Sequence, residues 1–331
     1  MKALVYLGKE TLDYRDFPEP VAGPGEAVVR VDSCGICGSD MHGYHGHDPR
    51  RVPPMVMGHE AAGVVETGAL AGRRVAVNPF LFCGRCVNCQ AGAQHLCLNQ
   101  RNIGLPPHAG AFADRVVVPE GNLVEIPDSM AMETAALAEP LAVSYHAVQM
   151  AVRLMRRPLP GARAVVLGGG AIGLGTALAL TICGAGRVSI AEPHPGRRDA
   201  AARAHPAIHA YDPATEEPDS QSVDVVFDAV GARSTREAAF RMAARGAVVI
   251  HLGLLPGSEG VDVRRMTLGE IIFAGSYCYS MPDFRETVAL LASGRFGDLG
   301  WTEQRPMRDG AQAFHDLDSG RTASAKIILR N

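Results

Sequence analysis

A glycine turn set between two apolar segments constrains this chain more than any other feature. The run Ala164–Leu167 is β-branched and apolar, Gly168-Gly169-Gly170-Ala171-Ile172-Gly173 follows at once, and the stretch beyond it to Ile182 is rich in Ala and Leu. That pattern predicts strand, tight turn and helix, and a Gly-x-Gly-x-x-Gly turn in that context opens a dinucleotide site. Gly168 permits the turn, Gly170 lets the backbone approach a pyrophosphate, and Gly173 lets helix and strand pack closely, while the N–H groups of Ala171 and Ile172 face the phosphates. Glu192, after Val188-Ser189-Ile190-Ala191, stands where an acid accepts both ribose hydroxyls and repels a 2′-phosphate, so NAD is preferred over NADP. Arg197 and Arg198 follow closely and keep a guanidinium within reach of such a phosphate. Residues 164–186 carry no charge, which by length alone suits a membrane span, but their seven glycines favour the strand-turn-helix.

Two cysteine segments lie upstream of that turn. Cys83, Cys86, Cys89 and Cys97 have a spacing that wraps a tetrahedral zinc and leaves no position open, with Gly84 and Gly92 letting the backbone turn. Such a lobe holds shape and does not act on substrate; its other use, a zinc ribbon that docks nucleic acid or protein, is weakened by near-neutral flanks. The second segment runs Cys34-Gly-Ile-Cys37-Gly-Ser39-Asp40 and continues at Gly58-His59-Glu60. Cys37, His59 and an acidic residue make a mixed sulfur, nitrogen and oxygen set with one position left for water or substrate, and chemistry needs that incomplete shell. Zinc held in this way lowers the pKa of its water to about 7 and acts on a bound alcohol in the same sense. Asp40 is placed to orient His59, and Cys34, Cys183 and Cys278 are expected to be inert thiols.

At 331 residues the chain exceeds a typical single core, so two domains are expected. A formal charge of −3 with no basic run removes the attraction on which sequence-independent nucleic-acid binding depends. No secretory signal is visible in Met1–Tyr6, which reads as a strand, and thiolate ligands suit a reducing compartment, so the expected location is cytoplasmic. Short apolar runs at 3–6, 26–31, 62–65, 74–77 and 115–118 give the first third an antiparallel β texture. Helical spacing from about Met130 is interrupted at Pro140, predicting a kinked linking helix. Strand-like runs at 164–167, 188–191, 223–228 and 247–252, separated by helical stretches such as 199–205 and 234–244, predict a parallel, doubly wound sheet. The apolar run at 325–329 is expected to return as a strand to the first domain.

In order and spacing these motifs resemble the zinc-dependent medium-chain alcohol dehydrogenases, and among them the polyol (sorbitol) and threonine dehydrogenase branch, over essentially the whole chain. The resemblance implies an α/β chain: a GroES-like β-rich catalytic domain over residues 1–140 with a structural-zinc lobe at 83–97, a Rossmann coenzyme domain over 141–282, and a return to the catalytic domain over 283–331. It also implies one catalytic and one structural Zn2+ per chain, NAD as coenzyme, a homodimer or homotetramer, and hydride transfer from a secondary alcohol or polyol to give the ketone or aldehyde. Cys37 and His59 match the shared zinc ligands, and Glu60 matches the acid that ligates or swings in during turnover. Glu139, in Ala138-Glu139-Pro140-Leu141, matches the glutamate that binds zinc directly or through its water in the polyol branch.

Ser39 and His42 resemble the relay that carries the alcohol proton through the nicotinamide ribose to water. The family uses the position of Arg197 to cover the adenine, and Val230, Leu252-Gly253-Leu254 and Ser276-Tyr277-Cys278 correspond to segments lining the adenine and nicotinamide ends. Polyol dehydrogenases carry an aromatic where this chain has Gly43 and an arginine where it has Cys278, so either Tyr44 or Tyr279 is expected to read substrate hydroxyls instead, or the substrate is other than a simple sugar alcohol. The alternatives are a zinc-free NAD(P)H reductase of the same fold and a non-catalytic NAD- or zinc-binding module.

Overall fold

In the computed structural model, which describes residues 1–331, six parallel strands form one sheet in the order Ile208–Tyr211, Val188–Ala191, Ala164–Leu167, Val223–Asp228, Ala243–His251, Ile272–Gly275. The chain builds outward from Ala164–Leu167 on one side and then reverses to the other, and this doubly wound order leaves a crevice at the strands' carboxyl ends. Burial on both faces explains the unbroken apolar runs. Ala164 and Val166 pack into a core shared with Leu141 and Val148 of helix Ala138–Leu154 and Leu178 of helix Ala171–Ile182, while Val165 and Leu167 face Phe240 and Met242 of helix Arg233–Met242. Residues 164–186 therefore form strand, turn and helix, and no helix of the chain is long and apolar enough to cross a membrane.

Four of the six strands coincide with or overlap the runs read from sequence; Ile208–Tyr211 and Ile272–Gly275 do not. Both are edges of the sheet, only partly buried, and their patterns are too short and too mixed to register as apolar runs. Helix Ala138–Leu154 runs unbroken through Pro140, contrary to the expected interruption there. Pro140 sits in the first turn, where a missing N–H costs nothing, and the break falls three residues earlier at Leu137, where helix Met132–Ala136 ends. Helix Met281–Ala292 spans residue 282, and its Phe284, Val288 and Leu291 share the core of the parallel sheet.

The largest of the remaining sheets, seven-stranded, is organised around strand Glu26–Gly35. It pairs antiparallel with Arg115–Pro119 along its first half, with Glu60–Val65 along its second, and with Lys326–Arg330 at its last residues. The strand Lys326–Arg330 thereby joins a sheet begun some three hundred residues earlier in the chain, and it delivers its own side chains to the end of that sheet where Glu60 lies.

Candidate active site

Cys37 ends the loop before helix Gly38–Tyr44, and Glu60 opens strand Glu60–Val65. Between them Gly58 takes a φ of +92°, a conformation open to glycine, and turns His59 inward. One ligand atom each from Cys37, His59 and Glu60 then lies within 4.8 Å of the others. Asp40 is fully buried beneath them: its Oδ2 accepts from the Cys37 N–H over 3.1 Å, and its Oδ1 lies 3.6 Å from His59 Nδ1 and 3.1 Å from Arg51 Nη1. Burial alone would raise the Asp40 carboxyl, yet His59 and Arg51 beside it hold it well below the usual range. For His59 burial pulls the other way, and Asp40 with Cys37 pushes it well above the ordinary imidazole value.

Glu60 has a partner that the sequence reading passed over. Lys326, whose side chain is 3% exposed, places Nζ 2.6 and 2.7 Å from the two Glu60 oxygens and donates to the Ile36 carbonyl over 2.8 Å. Gly35 makes room for the carboxylate, since a Cβ there would meet Glu60 Oε2 at 2.0 Å. A signal was present in the composition. Of 32 basic residues only Lys2, Lys9 and Lys326 are lysines; Lys2 and Lys326 both open apolar strands, and Lys326 alone of the three is buried.

Glu139 stands apart from the Cys37–His59–Glu60 trio, and no oxygen of its carboxylate falls within that 4.8 Å group. It is buried in the first turn of helix Ala138–Leu154 and accepts from the Tyr279 hydroxyl over 3.1 Å. Burial pushes its carboxyl up to about 7, with His59 opposing and Glu60 adding to the shift. Tyr44, by contrast, does not reach the site: its ring lies 5.4 Å from that of Phe314 in the β-rich core. Ser39 Oγ accepts from Arg51 Nη2 over 3.4 Å, and the half-buried His42 imidazole has no protein partner.

The donor sets fit zinc. Sulfurs of Cys83, Cys86, Cys89 and Cys97 lie within 4.8 Å of one another, and Gly84 and Gly92 both take positive φ in the turns between them. Backbone N–H groups of Arg85 and Cys86 pull the Cys83 thiol down to about 6, whereas burial pushes Cys89 up to about 12. Four such sulfurs become thiolates together only around a cation. At the other site a thiol, an imidazole and a carboxylate converge in a buried setting, again a zinc donor set.

Around the glycine turn, Gly168 takes a φ of +96° and a Cβ on Gly173 would lie 1.8 Å from the Gly168 carbonyl, so both positions admit only glycine. No atom lies within 4 Å of where a Gly170 Cβ would project, which leaves the face of the turn open. Ala171 and Ile172 open the helix there. Glu192 Oε2 accepts from Gly169 N–H at 2.7 Å and Oε1 from His194 N–H at 2.8 Å. Arg198 is occupied with the Glu192 and Pro193 carbonyls and Asp212, while the Arg197 Nε is buried without a partner. Val230 presses its side chain on Gly168, and Gly253 lies backbone to backbone with Val230 and Gly231. Leu252 is buried, Leu254 is 74% exposed, and the buried Ser276 Oγ has no partner. The loop after strand Ile272–Gly275 carries half-exposed Tyr277, then Cys278, then Tyr279 onto Glu139. Burial first and Glu139 next push the Cys278 thiol up to about 12, with Cys37 adding to the shift.

Comparison with known proteins agrees with this geometry. Residues 23–128 match the alcohol dehydrogenase GroES-like domain and residues 171–293 the zinc-binding dehydrogenase domain. L-idonate 5-dehydrogenase of Vitis vinifera is 31% identical over 82% of this chain and 79% of its own length. The 2-dehydro-3-deoxy-L-galactonate 5-dehydrogenase of Pseudoalteromonas atlantica is 29% identical over 100% of this chain and 99% of its own. Among solved structures, a zinc-binding dehydrogenase of Sinorhizobium meliloti 1021 bound to NADP superposes with a TM-score of 0.88 at 29% identity, covering 100% of this chain and 99% of that one. Shared motifs, shared fold and near full-length similarity together make this chain a member of the zinc-binding, GroES-like alcohol dehydrogenase family.

Proposed function

We propose that this chain is a zinc-dependent dehydrogenase that passes hydride from a secondary alcohol or polyol to NAD. One observation supports the reading: the loop leaving the last parallel strand sets Tyr279 on Glu139, 3.1 Å away, which brings to the carboxyl ends of the strands a carboxylate close enough to His59 and Glu60 to feel their charge. That is where a doubly wound sheet holds its dinucleotide. Cys37 and His59, with Glu60 or Glu139, would hold a zinc ion, which when bound would supply a Lewis acid for the alcohol oxygen. The chain's own groups then manage the proton. Ser39 offers a hydroxyl beside Cys37, and His42, free of protein partners, exchanges that proton with water. Lys326 holds the Glu60 carboxylate in place through hydrogen bonds to both of its oxygens, and Tyr279 holds Glu139 on its helix.

Glu192 spends one lone pair of each oxygen on a backbone N–H and keeps the others for the ribose hydroxyls, while Arg198 is turned away toward Asp212; both features support NAD over NADP. Arg197, Val230, Leu252, Gly253, Ser276, Tyr277 and Cys278 line the rest of the coenzyme path in this reading. Relatives named for L-idonate and 2-dehydro-3-deoxy-L-galactonate support a polyhydroxylated substrate. The exposed edge strand Ile272–Gly275, preceded by a helix with exposed Val263 and Leu268, supports a homo-oligomer, and eight free cysteines support a reducing, cytoplasmic setting. A zinc assay paired with an NAD-linked screen of polyols, secondary alcohols and threonine tests the proposal. The expected result is two zinc ions per chain and turnover on at least one polyol. NAD binding without turnover on any alcohol would assign the chain to a non-catalytic role.

A further inference from the structure

Two arginines are buried in this chain, and one of them, Arg51, with its side chain 4% exposed, reaches the Cys37–His59 pair through Asp40. Its Nη1 sits 3.1 Å from Asp40 Oδ1 and 3.5 Å from the Gly104 carbonyl oxygen, and its Nη2 donates to Ser39 Oγ over 3.4 Å. Its Nε, 3.5 Å from Asp48 Oδ2, has no hydrogen-bond partner. Asp48 is committed elsewhere, because the backbone N–H, Nε and Nη2 of Arg50 all donate to its carboxylate. The guanidinium of Arg51 is therefore directed at two residues of the first turn of helix Gly38–Tyr44, Ser39 and Asp40. Gly43 makes this possible: a Cβ there would lie 2.1 Å from Arg51 Cδ and 2.7 Å from its Nε, so the arginine stem occupies the space of the missing side chain.

We propose that Arg51 is a positioning residue that fixes the direction in which Ser39 hands on a proton. The inference rests on the dehydrogenase reading for its catalytic consequence and on the geometry above for its structural one. A guanidinium only donates. Ser39 Oγ accepts from Arg51 with one lone pair and keeps its second lone pair and its own O–H. A proton arriving from the substrate alcohol enters at that second lone pair, and the original O–H proton leaves toward the ribose and water, so the hydroxyl ends as it began. Departure toward Arg51 is closed, since no lone pair there receives a proton. The 3.4 Å contact is long, as relay contacts are before substrate arrives. Through Asp40, which also holds the Cys37 N–H and faces His59 Nδ1, the same guanidinium ties the hydroxyl to the metal-binding loop.

Two variants test this with the full-length zinc-loaded enzyme. Arg51→Met keeps the stem over Gly43 and removes every donor; Gly43→Ala keeps the guanidinium and displaces it. Each is expected to lower kcat by roughly 10- to 100-fold, at or below the low end of what a proton-transfer group itself contributes, as suits a residue that only positions one, with KM, zinc content and NADH binding nearly unchanged. Neither should add to the loss caused by Ser39→Ala, because all three act on one hydroxyl. Unchanged kcat, losses that multiply with Ser39→Ala, or loss of zinc in both variants would overturn the proposal. The structural half is read without turnover, from side-chain NMR of 15N-arginine-labelled protein. The Arg51 guanidinium, assigned by its loss in Arg51→Met and distinguished from the buried Arg236, which is held by the Gly231 and Glu259 carbonyls, is expected to show hindered rotation in the parent and in Ser39→Ala and to lose it in Gly43→Ala; free rotation of Arg51 in the parent overturns the proposal. A parent that shows this signal yet oxidises no alcohol would instead overturn the dehydrogenase reading.

Discussion

Lys326 and Glu60 are withdrawn from water together, and a buried charge without its partner is costly. Removing one member of such a pair typically costs about 3–5 kcal/mol. Lys326→Met should therefore destabilise the protein by about that amount in denaturant titration, and Glu60→Gln in the same chain should recover most of it. Equal stability of parent and single variant would mean that the pair is neutral. Glu139 yields a pH prediction in zinc-free protein. Burial raises its carboxyl to about 7 from the ordinary value, so the folded state binds this proton more tightly than the unfolded chain. Its contribution is complete below the unfolded value and is lost as pH rises through about 7. Thermal stability of the zinc-free chain should fall between pH 5 and pH 8, and Glu139→Gln should flatten that slope; an identical slope in the variant would locate the titration elsewhere. At this scale the sequence spoke clearly where a residue type carries its own chemistry in tight spacing, as with Cys37, His59 and Glu60. Lys326 is conspicuous as one of only three lysines, but its pairing with Glu60 was not legible because that partner lies 266 positions away.

Elements were legible where both faces are buried. Ala164–Leu167, Val188–Ala191 and Val223–Asp228 begin and end where the apolar runs do, while the two edge strands, lacking a neighbour on one flank, carry no such imprint. Proline misled at 140 because its effect depends on the distance from a helix start, which spacing alone does not reveal. The glycine turn and its acid act as one element: Glu192 holds Gly169 by its backbone, so Glu192→Ser removes both a ribose acceptor and the charge that repels a 2′-phosphate. Its kcat/KM for NADP should rise at least about tenfold relative to NAD, a change of about 1.4 kcal/mol. An unmoved ratio would remove Glu192 from that role. The four-cysteine lobe stands on its metal, so chelation should raise hydrogen exchange over residues 83–97 before it affects the parallel sheet. Uniform loosening would mean that the lobe is not an independent metal-held unit.

Across the whole molecule, Ala62, Ala76 and Phe80 of the β-rich part share one apolar core with Leu141, Phe227 and Phe284. Halves that share a core lose it together, so calorimetry of the zinc-loaded protein should show a single cooperative transition, and two resolved transitions would contradict the shared core. Division into two parts was visible from texture and length, yet the place where helices 138–154 and 281–292 join them was not, because packing between distant segments leaves no local trace.

The pairing of strand Lys326–Arg330 with Glu26–Gly35 also bears on how the chain is born. While the ribosome has yet to extrude position 326, the carboxylate at position 60 has no cation to meet, and the β-rich part waits with an acid it cannot bury. Synthesis from the amino end thus leaves that part unfinished until the coenzyme-holding part has been made, so a ribosome stalled in between would display a chain unable to close its reaction centre.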